Sequence, residues 1–282
     1  MKFEKLGRIY HIEGAHTQCP VVETIDDVWR VYYASRDEQG RSNIYFFDLD
    51  PKTFKVGYDP REPVFELGKM GMFDCDGLMP GCIVGDIFYV LGWNRSVSVP
   101  YHQAISYAVR DDDKWRKHKG PLLDRSVYDP YAVTTPFVLG DDMWYASTTD
   151  WVEIDGKLEC EYCIKHISNT EEPTVCIKYD EFTCVSCSPY VWIEDGKYKM
   201  IYSHRGNKNF RTDKTYSYRL GYAESDTPGG EWVRKDSEVG IDRSESGWDS
   251  DMISYATMHE GFLFYNGNGF GQSGIGVAKR TS

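Results

Sequence analysis

A short apolar strand led by proline recurs along this chain: "CPVV" at Pro20, "MPGCIV" at Pro80, "TPFVL" at Pro136 and "SPYVW" at Pro189, with "SYATM" around Tyr255 as a degenerate fifth copy. Successive prolines stand 60, 56 and 53 residues apart. Each is followed by an aromatic strand ending in small or polar residues: "WRVYYASRD", "IFYVLGWNR", "MWYASTTD", "YKMIYSHRG" and "FLFYNGNG". A third strand comes next ("SNIYFFDLD", "HQAISYAVR", "EYCIKHIS", "YRLGYAES", "SGIGVAKR"), then a more polar fourth in every unit except the last. Four-strand units repeated in fixed order are the pattern of a β-propeller, because each unit must bury its apolar faces against its neighbours. The last unit runs out at "SGIGVAKRTS", and the N-terminal "KFEKLGRIYHI" resembles its missing strand. The sequence therefore predicts an all-β, five-bladed β-propeller, one domain over residues 1–282, closed by the N-terminal strand joining the last blade so that no sheet edge is left open.

Loop lengths distinguish the two ends of such a fold. The turns between first and second strands ("ETIDDV", "VGD", "LGDD", "IEDG", "HEG") are hairpin chemistry. Those between second and third strands are long and rich in polar and aromatic residues: "SRDEQGRS", "GWNRSVSVPYHQ", "TTDWVEIDGKLE", "SHRGNKNFRTDKTYS" and "NGNGFGQSG". They open on the same end as the segments leading into the first strands, and long loops grouped on a rigid scaffold are where ligands bind.

The five segments leading into the innermost strands read "GAHTQC", "GMFDCDGLM", "SVYDPYAVTT", "YDEFTCVSCS" and "SESGWDSDMI". Four of them carry acids, namely Asp74 with Asp76, Asp129, Asp180 with Glu181, and Glu245 with Asp249 and Asp251; the first supplies His16 and Gln18. Each acid alone also reads as a turn or capping residue. A ring of carboxylates around one axis would repel itself unless some were protonated, metal-bound or paired with arginine. Arg36, Arg41, Arg95, Arg205 and Arg211 lie on the same loops. Trp93, Trp151, Trp248 and Phe270 add flat apolar surface beside Asn94, Asn266 and Asn268, a combination suited to the C–H faces and hydroxyl edges of a sugar. Packing explains strand-end aromatics equally well.

A formal net charge of −12 with scattered acids argues against nucleic acid or an anionic membrane as partner. No stretch approaches the ~18 apolar residues that span a bilayer, and "MKFEKLGRIYHIEG" has no signal-peptide core. Eight cysteines in 282 residues are too few for a disulfide scaffold, so reduced thiols and a cytoplasmic location are expected. Cys160-x-x-Cys163 and Cys184-x-x-Cys187 have the spacing of a four-cysteine zinc site. Their strand-like context lacks the tight Gly-rich turns of such knuckles and favours buried free thiols.

Over nearly its full length the chain resembles the five-bladed propeller glycosidases, the broad group of arabinanases, xylosidases and fructosidases (glycoside hydrolase families 43 and 32). The resemblance is carried by "YYASRDEQGRSNI", "FDCDGLMPGCIV" with "GWN" following, "DPYAVTTPFVL", and "SESGWDSDMI" with "YNGNGFG". It implies hydrolysis of a glycosidic bond in a sugar or glycan by two carboxyl groups, one protonating the leaving oxygen and one activating water or attacking the sugar carbon. The family's usual carboxylates stand just before the anchoring prolines of the first, third and fourth blades, where this chain has Cys19, Thr135 and Ser188. Acid and base are therefore sought upstream. Asp76 and Glu245 are the leading pair in either order, and Asp129 would tune them or hold hydroxyls, with Asp74, Glu181 and Asp251 in reserve. His16, Gln18, Arg36, Arg41, Asn94, His204 and Arg205 would position substrate with Trp93, Trp248, Asn266 and Asn268. No cofactor is required. Two alternatives stay open: a non-catalytic carbohydrate-binding propeller, and a divalent-metal site in the axial pocket using His16 with Asp74 and Asp76.

Overall fold

A computed structural model describes residues 1–168, 172–180 and 182–281. The chain is all-β, with helix among the described residues confined to the single turns Asp236–Glu238 and Asn268–Gly271. After an N-terminal strand β1 (Phe3–Tyr10), the strands fall into successive antiparallel sets. The first holds β2 (Gln18–Ile25), β3 (Val28–Arg36), β4 (Ser42–Leu49) and β5 (Val56–Tyr58). The second holds β6 (Gly77–Val84), β7 (Ile87–Arg95), β8 (Tyr101–Asp111) and β9 (Lys114–Lys117). The third is β10 (Val133–Leu139), β11 (Asp142–Ile154), β12 (Lys157–Ser168) and β13 (Thr174–Ile177), and the fourth β14 (Thr183–Glu194), β15 (Lys197–Gly206), β16 (Arg219–Ser225) and β17 (Val233–Arg234). The last comprises β18 (Ser254–His259), β19 (Phe262–Asn266) and β20 (Ile275–Arg280). β1 runs antiparallel beside β20, with Phe3 opposite Arg280 and Tyr10 opposite Ile275, so both chain ends share one sheet.

Local chemistry explains the elements. Second strands such as β3, "VWRVYYASR", are buried over consecutive residues because both faces are covered. β1 alternates partly buried and exposed residues, as a sheet-edge strand does. In the tight hairpins, Asp195-Gly196 and Glu260-Gly261 both take left-handed backbone, the geometry of a type I′ turn.

Apolar clusters join each set to the next. Tyr32, Ile44, Leu78 and Phe88 pack between the first and second sets, and Ile105, Val133 and Tyr145 between the second and third. Trp144, Ile164, Val191 and Met200 join the third and fourth; Ile201, Tyr222, Ile253 and Tyr265 the fourth and last. Trp29, Phe47, Phe264 and Val277 connect the last set back to the first. All five innermost strands meet around one narrow hollow of about 30 Å³ lined by Pro20, Pro80, Pro136, Pro189 and Ala256. Each innermost strand bulges there, between Gln18 and Val21, Pro80 and Cys82, Thr134 and Phe137, Cys187 and Tyr190, and Ser254 and Thr257. Cys19, Thr135, Ser188 and Tyr255 occupy these bulges with φ of 54°, 47°, 51° and 53°, left-handed backbone that is costly for residues with a β-carbon.

Candidate functional site

Above the narrow hollow the fold opens into a cavity of about 410 Å³. Its wall comes from the bulges (Gln18, Cys19, Thr134, Thr135, Cys187, Tyr255) and the ends of second strands (Arg36, Trp93, Arg205). The start of β8 and the first half of β12 add Tyr101, Gln103, Glu159, Cys160 and Tyr162, and His16, Phe210, Arg211, Tyr218 and Phe270 complete it from loops. Trp93 is fixed by an indole N–H donated to Ser42 Oγ over 2.7 Å, and it lies against Gly77, where any side chain would strike both partners. The Arg205 guanidinium stacks 3.7 Å from the Phe210 ring centre and donates to the Cys160 carbonyl at 2.9 Å. Arg211 makes a bidentate pair with Glu159 at 2.9 and 3.2 Å. Gln18 is 5% exposed, and its Oε1 has no partner among the described residues.

Burial pushes the phenols of Tyr101, Tyr162, Tyr218 and Tyr255 well above the ordinary tyrosine range, so they stay protonated donors. The Cys187 thiol is pushed up to about 12 by burial, and burial likewise raises Cys19 and Cys160. These are uncharged hydrogen-bonding groups rather than nucleophiles at neutral pH. Burial also holds the His16 imidazole below its usual value, with the Arg36 charge acting in the same direction, and burial lowers His204 similarly. Each takes up a proton on unfolding below about pH 6.5. Stability is therefore expected to fall as pH drops through that value toward 5. Melting temperatures at pH 7.5 and 5.5 check the sign, and His204→Gln should flatten the slope.

The acids in the loops before the innermost strands do not converge on this cavity. Asp129, 1% exposed, accepts hydrogen bonds from Ser147 Oγ at 2.6 Å, Lys165 Nζ at 2.9 Å and Tyr145 Oη at 3.0 Å. Asp74 is fully buried against Lys117, and Asp249 accepts from Lys5 at 2.6 Å and Tyr265 at 3.0 Å. Asp180 pairs with Arg234 at 2.7 Å. In each case the carboxylate ties its loop to a cation on a third or outermost strand of the same set. Asp76 is engaged by Arg95 through both its backbone N–H and its guanidinium at 2.7 Å. Glu245 and Asp251 are exposed away from the cavity wall. Glu181 lies outside the described residues.

Of the expected substrate-positioning residues, His16, Gln18, Arg36, Trp93 and Arg205 do line the cavity. Arg41 instead pairs with Asp37 at 2.8 Å, and Asn94 and His204 stand outside. Trp248 packs 5.3 Å from the Tyr265 ring. Asn266, fully buried, accepts from the Cys19 N–H at 2.8 Å and donates to the Thr17 carbonyl. Asn268 accepts from the backbone of Asp251 and Met252. Glu159, Cys160, Tyr162, Tyr101, Gln103 and Tyr218 were missed. The signal for the first three was the unusual length of the β11–β12 hairpin, whose strands run for 13 and 12 residues and carry β12 past the cavity.

Asp74 and Asp76 are held by Lys117 and Arg95, so the structure does not bring them together with His16 as a metal site. Among the described residues no group of three His, Cys, Asp or Glu side chains is placed to hold a metal ion. All eight cysteines are free; Cys160, Cys184 and Cys187 pack in one cluster, with Cys160 and Cys187 facing the cavity, while Cys163 packs elsewhere, so the four do not converge. Among the described residues no helix is long and apolar enough to cross a membrane.

This arrangement is the fold of the arabinanase-type glycoside hydrolases. A thermostable family-43 glycoside hydrolase superposes with a TM-score of 0.63 at 16% identity, covering 95% of this chain and 90% of that one. An endo-arabinase from Bacteroides thetaiotaomicron superposes with a TM-score of 0.61 at 13% identity, covering 98% of each. No family model matches the sequence. The chain is 33% identical over 309 aligned residues to "Uncharacterized protein Rv1502" of Mycobacterium tuberculosis (strain ATCC 25618 / H37Rv), covering 99% of each, and it belongs to the same family as that protein.

Proposed function

We propose that the five strand sets are the blades of a single propeller domain over residues 1–282, closed by β1 on β20, and that its axial cavity binds a sugar. The observation that carries this reading is the cavity itself. Its volume of about 410 Å³ suits a mono- or disaccharide. Trp93, Tyr101 and Phe270 offer faces for sugar C–H groups. Protonated phenols and Gln103 offer donors and acceptors for hydroxyls, and the unpartnered Gln18 Oε1 is a buried acceptor that a ligand hydroxyl would satisfy. The fold, shared with glycoside hydrolases, supports a glycan as the ligand class. The buried free thiols fit a reducing, cytoplasmic setting.

Titration of a monosaccharide and oligosaccharide panel into wild type and Gln18→Ala, followed by calorimetry, tests the binding. A bound sugar should lose about tenfold in affinity in the variant, as expected for an unmet buried hydrogen bond. No sugar binding, or binding indifferent to Gln18→Ala, removes the reading.

Hydrolysis is the second reading, and Glu161 favours it. Burial, then the Asp150 charge, raises its carboxyl above the ordinary range, the property a general acid needs. It stands on β12 two residues from Glu159, which lines the cavity with both oxygens held by Arg211, while Glu161 itself lies just outside that lining. Asp76 and Glu245 remain the pair nominated by sequence. Single Glu161→Gln, Asp76→Asn and Glu245→Gln variants assayed on a bound glycan separate these candidates. A drop of about 100-fold or more in turnover is expected for Glu161→Gln alone, and product formation unaffected by it would reject Glu161 as the acid.

A further inference from the structure

The chain carries a formal charge of −12, yet its axial cavity is cationic. Arg36, Arg205 and Arg211 line it, against one carboxylate among the described residues, that of Glu159. Glu159 is already spent on Arg211, which it holds with both oxygens. Arg36 donates to the Gly40 carbonyl at 3.0 Å and leans over Trp93, 5.6 Å from the ring centre. Arg205 is 2% exposed, and its described contacts are neutral: the Cys160 and Gly206 carbonyls, the Cys184 sulfur, the Tyr218 hydroxyl and the Phe210 ring. Glu161 acts on Arg205 only through space, and no described carboxylate forms an ion pair with Arg36 or Arg205. Elsewhere in the molecule buried cations are matched, as Lys117 is by Asp74 and Lys165 by Asp129.

A guanidinium buried without a counter-ion is costly, because desolvation is not repaid by attraction. Arg205 is such a group, and together with the exposed Arg36 at the rim of the same cavity it forms a counter-ion site open to a ligand, in a protein of net negative charge. Arginine presents a planar fork of donors that matches the oxygens of a carboxylate or phosphate. Screening is weak inside a cavity walled by Trp93, Phe210 and Phe270, so the attraction is stronger there than at the surface.

We propose that the ligand of the axial cavity is an acidic sugar, one whose carboxylate or phosphate is received by Arg36 and Arg205 while its ring lies against the aromatic wall. This rests on the sugar-binding reading and adds the charge. The shared chemistry is an oxyanion on a sugar, from either a uronate or a sugar phosphate.

The test is calorimetric titration of the full chain at fixed ionic strength in chloride, using inorganic phosphate, glucuronate and galacturonate, glucose 6-phosphate, and neutral glucose and galactose. Inorganic phosphate is free of sugar stereochemistry and reads the anion site alone. It should bind wild type, and Arg36→Gln should weaken it by about tenfold or more. The exposed Arg116→Gln on β9, which removes the same charge outside the cavity, should leave binding unchanged. Arg36 is exposed at the cavity rim, so its variant should keep the wild-type melting temperature even if an Arg205 variant fails to fold. Uronates binding above sugar phosphate identify a carboxylate ligand, and the reverse a phosphate. Phosphate that does not bind up to 50 mM, or that binds Arg36→Gln as well as wild type, overturns the proposal. Neutral hexoses that bind at least as tightly as the acidic ones do the same while leaving sugar binding intact. Phosphate bound with no sugar recognised keeps the anion site and removes the sugar.

Discussion

Asp129→Ala is expected to lower the melting temperature by about 10 °C. The carboxylate is 1% exposed and is the sole described counter-ion of Lys165, whose side chain is itself largely buried. Removing one member of a buried, hydrogen-bonded pair leaves the other charge uncompensated and costs ~3–5 kcal/mol. At ~2–4 °C per kcal/mol for a domain of this size, the shift follows. Tyr145 and Ser147 lose their acceptor in the same step, and both are buried on β11. The double variant Asp129→Ala/Lys165→Met should recover much of the loss, because a buried ion pair exchanged for apolar volume is close to neutral. Scanning calorimetry on the three proteins decides the matter. A melting point within 2 °C of wild type for the single variant would show that the pair is no staple.

The second large effect belongs to Asn266→Ala. This side chain, on the last residue of β19, reaches across to the beginning of the chain, accepting from the Cys19 N–H at 2.8 Å and donating to the Thr17 carbonyl. Its removal leaves two buried backbone groups unpaired at ~1–3 kcal/mol each. It also frees Cys19, whose left-handed φ of 54° next to Pro20 is held by its surroundings. Two outcomes are expected together: a melting temperature lower by about 5–10 °C, and faster alkylation of the Cys19 thiol, now slow because it is 8% exposed and burial holds it protonated. Peptide mass spectrometry after a maleimide pulse reads the second. Unchanged labelling of Cys19 would mean that another contact fixes this corner of the cavity.

Both predictions concern residues that sequence pattern had placed at a binding site. Acids recur before the innermost strands because each loop needs an internal anchor, and a carboxylate pinned by lysine, arginine or tyrosine supplies it. In a one-dimensional reading that device is indistinguishable from a catalytic ring. The carboxylates of Asp74, Asp129 and Asp249 turn inward to their own sets, and the cations that claim them, Lys117, Lys165 and Lys5, lie up to 244 residues away in the chain.

What the sequence determined by itself was the strand repeat, the hairpin turns and the loops that carry the site, with His16, Gln18, Arg36, Trp93 and Arg205 among its residues. Those features are local: alternation of buried residues, Asp-Gly and Glu-Gly turns, and loop length are written into neighbouring residues. Only the tertiary structure decided which charges meet. It took Asp76, Asp129 and Glu245 out of the cavity, brought in Glu159, Tyr162 and Tyr218, and left Arg205 without an ion-paired carboxylate among the described residues. The physical reason is that a side chain's direction in a loop has no period to read. The sign of a cavity is a sum over residues from every strand set, and that sum exists only once the sets have packed.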